Sequence, residues 1–135
     1  MDRPAITTDV IVGFPGETEA EFQQTLDTCR AAGFSKIHAF PYSARRGTPA
    51  AEMPNQIPKS LRRERTSQLM HLGETLASDY RRGLVGIATE VLIESDTGTS
   101  TGTTERYVPV TVENARPPVG EFYRGVVTGV GDTVQ

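Results

Sequence analysis

TTDVIVGFPGET, residues 7–18, decides how the first part of the chain folds. Val10-Ile11-Val12 is an unbroken apolar run within a strand read as Ile6 to Phe14. Such a run fits a strand of a parallel sheet buried on both faces. Pro15-Gly16 ends the strand, and Thr18 with Glu21 stands in capping-box spacing at the start of a helix. Glu17, Glu19 and Glu21 favour the positive end of that helix. Phe22, Leu26 and Cys29 share its inward face, and Gly33 suits the left-handed residue that stops it. A second strand from about Lys36 to Phe40 completes a βαβ unit.

Working outward, residues 41–58 hold Pro41, Pro49, Pro54 and Pro58, and so read as a loop. A long helical pattern follows from about Lys59 to Arg82, with Leu61, Leu69, Leu72, Leu76 and Tyr80 as its apolar stripe. Arg62, Arg63 and Arg65 are placed on the other, solvated faces, where they could also extend a contact surface. Gly83 is the expected stop. Beyond it the composition turns to Val, Thr and Gly, with strands expected at Ala88–Glu94, Arg106–Val112 and Glu121–Val130. Thr97 to Gly102 reads as a polar loop and Pro117-Pro118 as a break. The expected fold class is therefore α/β plus all-β. Residues 1–83 form a partial (β/α) barrel piece with its connecting helix, and residues 84–135 a small antiparallel β-barrel.

The chain has 135 residues, 36% hydrophobic and 23% charged, with 14 basic and 17 acidic residues and a net charge of −3. That balance argues against a strongly basic nucleic-acid coat protein, though not against a local basic face. The charge is uneven, with a net of +1 over residues 1–83 and −4 over residues 84–135. No apolar run approaches the ~20 residues that span a bilayer, and no leader-like segment opens the sequence. Cys29 is the single cysteine, so the chain has no internal disulfide, no Cys-rich zinc site and no Cys-ligated iron–sulfur cluster of its own. On its apolar helix face it reads as a buried structural thiol. His38 reads as an oriented polar side chain rather than a metal ligand. No metal site and no catalytic residue stand out.

Two segments carry candidate binding chemistry. Gly13, Phe14, Pro15, Gly16 and Glu17 form a turn at the carboxyl end of a strand, where ligands of α/β folds collect. Gly13 would let a flat ligand approach the backbone, though the same residues also make a plain βα turn. No Gly-Lys-Ser/Thr follows, so this is not a phosphate loop of the Walker type. Tyr42, Ser43, Arg45, Arg46 and Thr48 leave the second strand on the same side and offer hydroxyls and guanidinium groups.

TTDVIVGFPGET (7–18) followed by GFSKIHAFPYSARRGTPAAEMPNQIP (33–58) resembles the radical S-adenosylmethionine methylthiotransferases. The stretch Lys36 to Ser43 is closest to the branch that acts on N6-threonylcarbamoyladenosine in tRNA. The resemblance is strong over residues 7–65. It is weaker over residues 84–135, which resemble a TRAM domain, a small RNA-binding β-barrel. It implies S-adenosylmethionine and two 4Fe–4S clusters in the full-length protein, on upstream cysteines that this chain lacks. The chain is then expected to be the last third of such an enzyme and inactive alone. The resemblance further implies that Gly13 to Glu17 help seat the cofactor's adenosine and that Tyr42, Arg45 and Thr48 line the substrate side. Arg106, Tyr107, Tyr123 and Arg124 would meet RNA, by stacking and charge. The expected partner is tRNA, with no membrane, a cytoplasmic location and self-association through open sheet edges. Two other readings are a stand-alone RNA-binding module without catalysis and an independent nucleotide-binding enzyme using the Gly13–Glu17 turn.

Overall fold

A computed structural model describes residues 2–131. The elements run β1 (Thr7–Val12), α1 (Glu19–Ala32), β2 (Lys36–Pro41), a short 3-10 turn (Pro49–Glu52) and α2 (Lys59–Arg82). They continue with β3 (Ala88–Asp96), β4 (Ser100–Thr104), β5 (Pro109–Val112) and β6 (Phe122–Val126). These residues form two compact units, one of residues 6–80 and one of residues 2–5 with 81–131.

In the first unit β1 and β2 pair in parallel, from Thr7 opposite Lys36 to Val12 opposite Pro41. The α1 start is a complete capping box. Thr18 Oγ1 accepts from the Glu21 N–H at 3.2 Å, and the Thr18 N–H donates to Glu21 Oε2 at 2.8 Å. Gly33 ends the helix in the left-handed conformation at φ 64°. The core is Val12, Phe22, Leu26, Cys29 and Leu69, with Val10, Ile37, Ala39, Leu72 and others packed around it. Gly73 is buried where α2 passes Ile37. A Cβ there would stand 3.4 Å from the Ile37 Cβ, in ordinary van der Waals contact, so alanine would just fit and only a bulkier side chain would press on Ile37.

Two sequence expectations need correction in this unit. The β1 strand is not buried on both faces. Val10 and Val12 face the core, while Ile11 is 59% exposed and its partner Phe40 is 50% exposed. With two strands, nothing among residues 6–80 covers the second face. Nor does α2 keep all three arginines on a solvated surface. Arg65 is only 3% exposed and Arg62 is half-buried, whereas Arg63 is exposed.

In the second unit four strands form an antiparallel sheet in the order β5-β4-β3-β6. Val91, Ile93, Ser100 and Thr104 are buried, and β3 carries an irregularity between Ile93 and Ser95 where its pairing with β4 shifts. The segment expected as a loop divides at Ser100. Gly98 turns the chain at φ 97°, and Ser100 to Thr104 then form β4. Threonine's branched side chain suits a strand, and Gly102 admits close pairing: a Cβ there would lie 2.1 Å from the Leu92 carbonyl oxygen. The sheet is not a closed barrel. β5 and β6 lie at its two ends, and closure requires those edges to pair. The residues between them, 113–121, include Pro117-Pro118 and form no strand. The strand expected from Glu121 is regular only over Phe122–Val126.

Candidate functional site

β1 ends at Val12, and the chain turns over Gly13 to Glu17 into α1. Gly13 and Gly16 both take positive φ, 72° and 83°. The Glu17 N–H donates to the Phe14 carbonyl at 2.9 Å, and Glu17 Oε1 accepts from the Gly13 N–H at 3.0 Å. The Gly16 N–H donates outside the turn, to the Asn55 carbonyl at 2.9 Å, so these backbone donors are satisfied partly by the turn and partly by the loop before α2.

Arg65 of α2 fastens it. Its Nη1 donates to Glu17 Oε1 at 2.7 Å and to the Glu17 carbonyl at 3.0 Å, and its Nη2 donates to Glu19 Oε2 at 3.3 Å. The guanidinium carbon lies 5.4 Å from the centre of the Phe22 ring, within range for a cation–π contact. Arg62, one helical turn earlier, lays its side chain over Gly13 and donates to the Tyr42 carbonyl. A Cβ on Gly13 would sit 2.3 Å from Arg62 Cγ. The side chain missing at Gly13 therefore makes room for Arg62 and not for a flat ligand, which corrects the sequence expectation. What the turn leaves exposed is the Phe14 ring and Gly16, whose N–H is already given to the Asn55 carbonyl, while Pro15 is buried.

Tyr42 joins this turn directly. Its N–H donates to the Val12 carbonyl at 2.8 Å, and its ring meets Phe14 edge-on with centroids 5.4 Å apart. Thr48 and Arg45 are brought together by a 2.7 Å hydrogen bond from Thr48 Oγ1 to the Arg45 carbonyl, which leaves the Arg45 side chain exposed. Beside Tyr42 and the first half of α2 lies an open cleft of about 720 Å³, lined among others by Ser43, Lys59, Arg62 and Arg63. The turn-fastening role of Arg62 and Arg65 is missed by a reading of residue type alone. The available signal is spacing: Arg65 lies four residues before Leu69, on the stripe that continues to Leu72, Gly73 and Leu76.

Hydrogen bonds also set charge here. Glu21 is held below the usual carboxylate range by the backbone and hydroxyl donors of Thr18. The hydrogen bond from Gln23, with help from Arg65, does the same for Glu19. Burial pushes the Cys29 thiol up, against a smaller opposing pull from Arg30.

The four residues expected to meet RNA lie in the second unit and do not form one face. Arg106 is 6% exposed. Its Nε and Nη2 donate to the Asp2 carbonyl at 3.2 and 2.8 Å, and Nη1 pairs with Glu105. Burial raises the Glu105 pKa, but donors from Thr89 and Glu90 outweigh that and hold it below the usual range. Tyr107 is 86% exposed and takes a left-handed φ of 57°. Arg124 is exposed and pairs with Glu90 at 2.9 Å. Tyr123 is half-buried and, as its strand neighbour, points to the opposite face. Phe122 and Leu92 share the Arg124 face and are exposed.

The fit to the implied cofactors is uneven. Among the described residues no three His, Cys, Asp or Glu side chains gather to hold a metal, and Cys29 is buried. These residues do not fit an iron–sulfur cluster. Phe14 and Gly16 fit one edge of an adenosine site and no more. No helix among the described residues is long and apolar enough to cross a membrane.

No protein-family model matches the chain. Its sequence is 49% identical over 106 residues to tRNA-2-methylthio-N(6)-dimethylallyladenosine synthase 1 of Mycobacterium marinum, covering 78% of this chain and 20% of the relative. The synthase of that name from Corynebacterium jeikeium is 49% identical over 96 residues, covering 71% and 19%. That of Streptomyces coelicolor is 49% identical over 106 residues, covering 78% and 21%. The chain thus spans about a fifth of the length of the curated relatives it matches. Their names specify the dimethylallyl nucleoside, so the expected threonylcarbamoyl branch is not supported.

Proposed function

We propose that this chain is a C-terminal part of a tRNA methylthiotransferase that adds a methylthio group to N6-dimethylallyladenosine. The carrying observation is the 49% identity over 106 residues to synthases named for that product. Chemistry at the adenine would need S-adenosylmethionine and iron–sulfur clusters, whose cluster ligands lie outside this chain. What these residues contribute is shape and charge. Arg65, Glu17 and Arg62 hold the Gly13–Glu17 turn rigid, so that Phe14 and Gly16 offer a fixed edge to the cofactor's adenosine. Tyr42 packs on that edge, and Arg45 and Thr48 extend from it on the substrate side. In the second unit Tyr107, Phe122 and Arg124 supply exposed rings and a cation for tRNA, while Arg106 shapes the fold beneath. The place of action would be the cytoplasm, with tRNA as partner.

A chimera tests this. This chain replaces the matching fifth of the Mycobacterium marinum synthase, and digested tRNA is analysed for methylthiolated nucleosides. The expected product carries the dimethylallyl group. Loss of product in a folded, cluster-loaded chimera would refute the assignment. Product on threonylcarbamoyladenosine would refute the substrate.

A further inference from the structure

We propose that the cleft beside Tyr42 binds a backbone phosphate of RNA, an inference that rests on the tRNA reading above. The cleft of about 720 Å³ lies within the first unit. Lys59, Arg62 and Arg63 line it, against Glu74 as the one lining carboxylate. Neither Lys59 nor Arg63 has an ion-pair partner among the described residues, so their charge is available to a ligand.

Two further groups point to the ligand's chemistry. The Tyr42 hydroxyl and Arg62 Nε are buried without a hydrogen-bond partner among the described residues, and both residues line the cleft. Tyr42 itself is only 9% exposed. Leaving such groups unpaired is costly. An arginine Nε–H can only donate and a tyrosine hydroxyl donates readily, so an acceptor that enters the cleft and shifts the side chains covering these two atoms would meet donors. An anion with several acceptor oxygens among lysine and arginine side chains is a phosphate, and Arg63 matches its geometry. Ser43 and Ser67 add hydroxyls at the wall. Free phosphate and a phosphodiester share this chemistry. We assign the phosphodiester because the cleft is open and sits beside Tyr42 at the end of β2, where an extended strand can pass.

The test uses the whole chain with two probes, a fluorescently labelled tRNA anticodon stem-loop and inorganic phosphate. Replacing both Lys59→Ala and Arg63→Ala should weaken stem-loop binding about tenfold and lower the salt slope by about 0.8, the share of one phosphate. Tyr42→Phe should weaken it several-fold without lowering Tm, because its hydroxyl has no partner to lose. Stem-loop binding that survives the double replacement but falls with Arg124→Ala would overturn the cleft and leave the tRNA reading standing. No stem-loop binding, with phosphate still shifting NMR signals of Tyr42 and α2, would overturn the RNA assignment and leave a small-anion site. No response to either probe would overturn the cleft as an anion site.

Discussion

Arg65 links the two halves of the first unit at the scale of one residue. It lies on a helix of 24 residues, yet its guanidinium is bound 48 positions back, at Glu17. Charge type points an arginine to solvent; periodicity points this one to the core, and periodicity prevails because Glu17 and the Phe22 ring receive it. Arg65→Ala would leave the Glu17 carboxylate largely buried without its partner. We expect a loss of about 3 kcal/mol in urea unfolding. A change under 1 kcal/mol would show that the turn holds without this pair. Cys29 was legible from its helix position alone. Its thiol is buried and its pKa raised, so thiol reagents should label the native chain slowly at pH 8 and the unfolded chain fast. Equal rates would place Cys29 at the surface.

The elements divide by how local their signals are. The α1 cap needs only Thr18, Glu21 and Gly33, and all three act as the sequence indicates. Thr18→Ala should cost about 1 kcal/mol at pH 7. Glu21 is held below its ordinary pKa by Thr18, so its contribution is full above the ordinary carboxylate value, about 4.3. It is lost as pH falls through the lower folded value. Thr18→Ala keeps the backbone N–H that does most to hold Glu21 down and removes only the hydroxyl's share. The gap between wild type and Thr18→Ala should therefore shrink partly between about pH 5 and pH 3 in thermal melts, and a constant gap would rule out the hydroxyl–carboxylate bond's part. β4 was not legible, because Thr-Gly-Thr-Ser-Thr-Gly has loop composition and becomes a strand only by pairing with β3 and β5. Whether the sheet closes depends on the same non-local pairing, which is why a barrel was expected and an open sheet is found.

For the whole molecule, the α/β plus β-rich division follows from composition, while the exposed face of β1 and β2 follows from how few strands share the sheet. Ile11 and Phe40 lie side by side on that face, and both strands of the pair have an open edge among the described residues. Such a surface favours association. Sedimentation should show concentration-dependent oligomers of the isolated chain, and a monodisperse monomer at all concentrations would contradict this. The most direct measurement is turnover by a longer protein that contains this sequence, reconstituted with clusters and S-adenosylmethionine. It should convert tRNA bearing N6-dimethylallyladenosine to its methylthio derivative, read by nucleoside mass spectrometry. Unchanged dimethylallyladenosine, with clusters verified spectroscopically, would contradict the account.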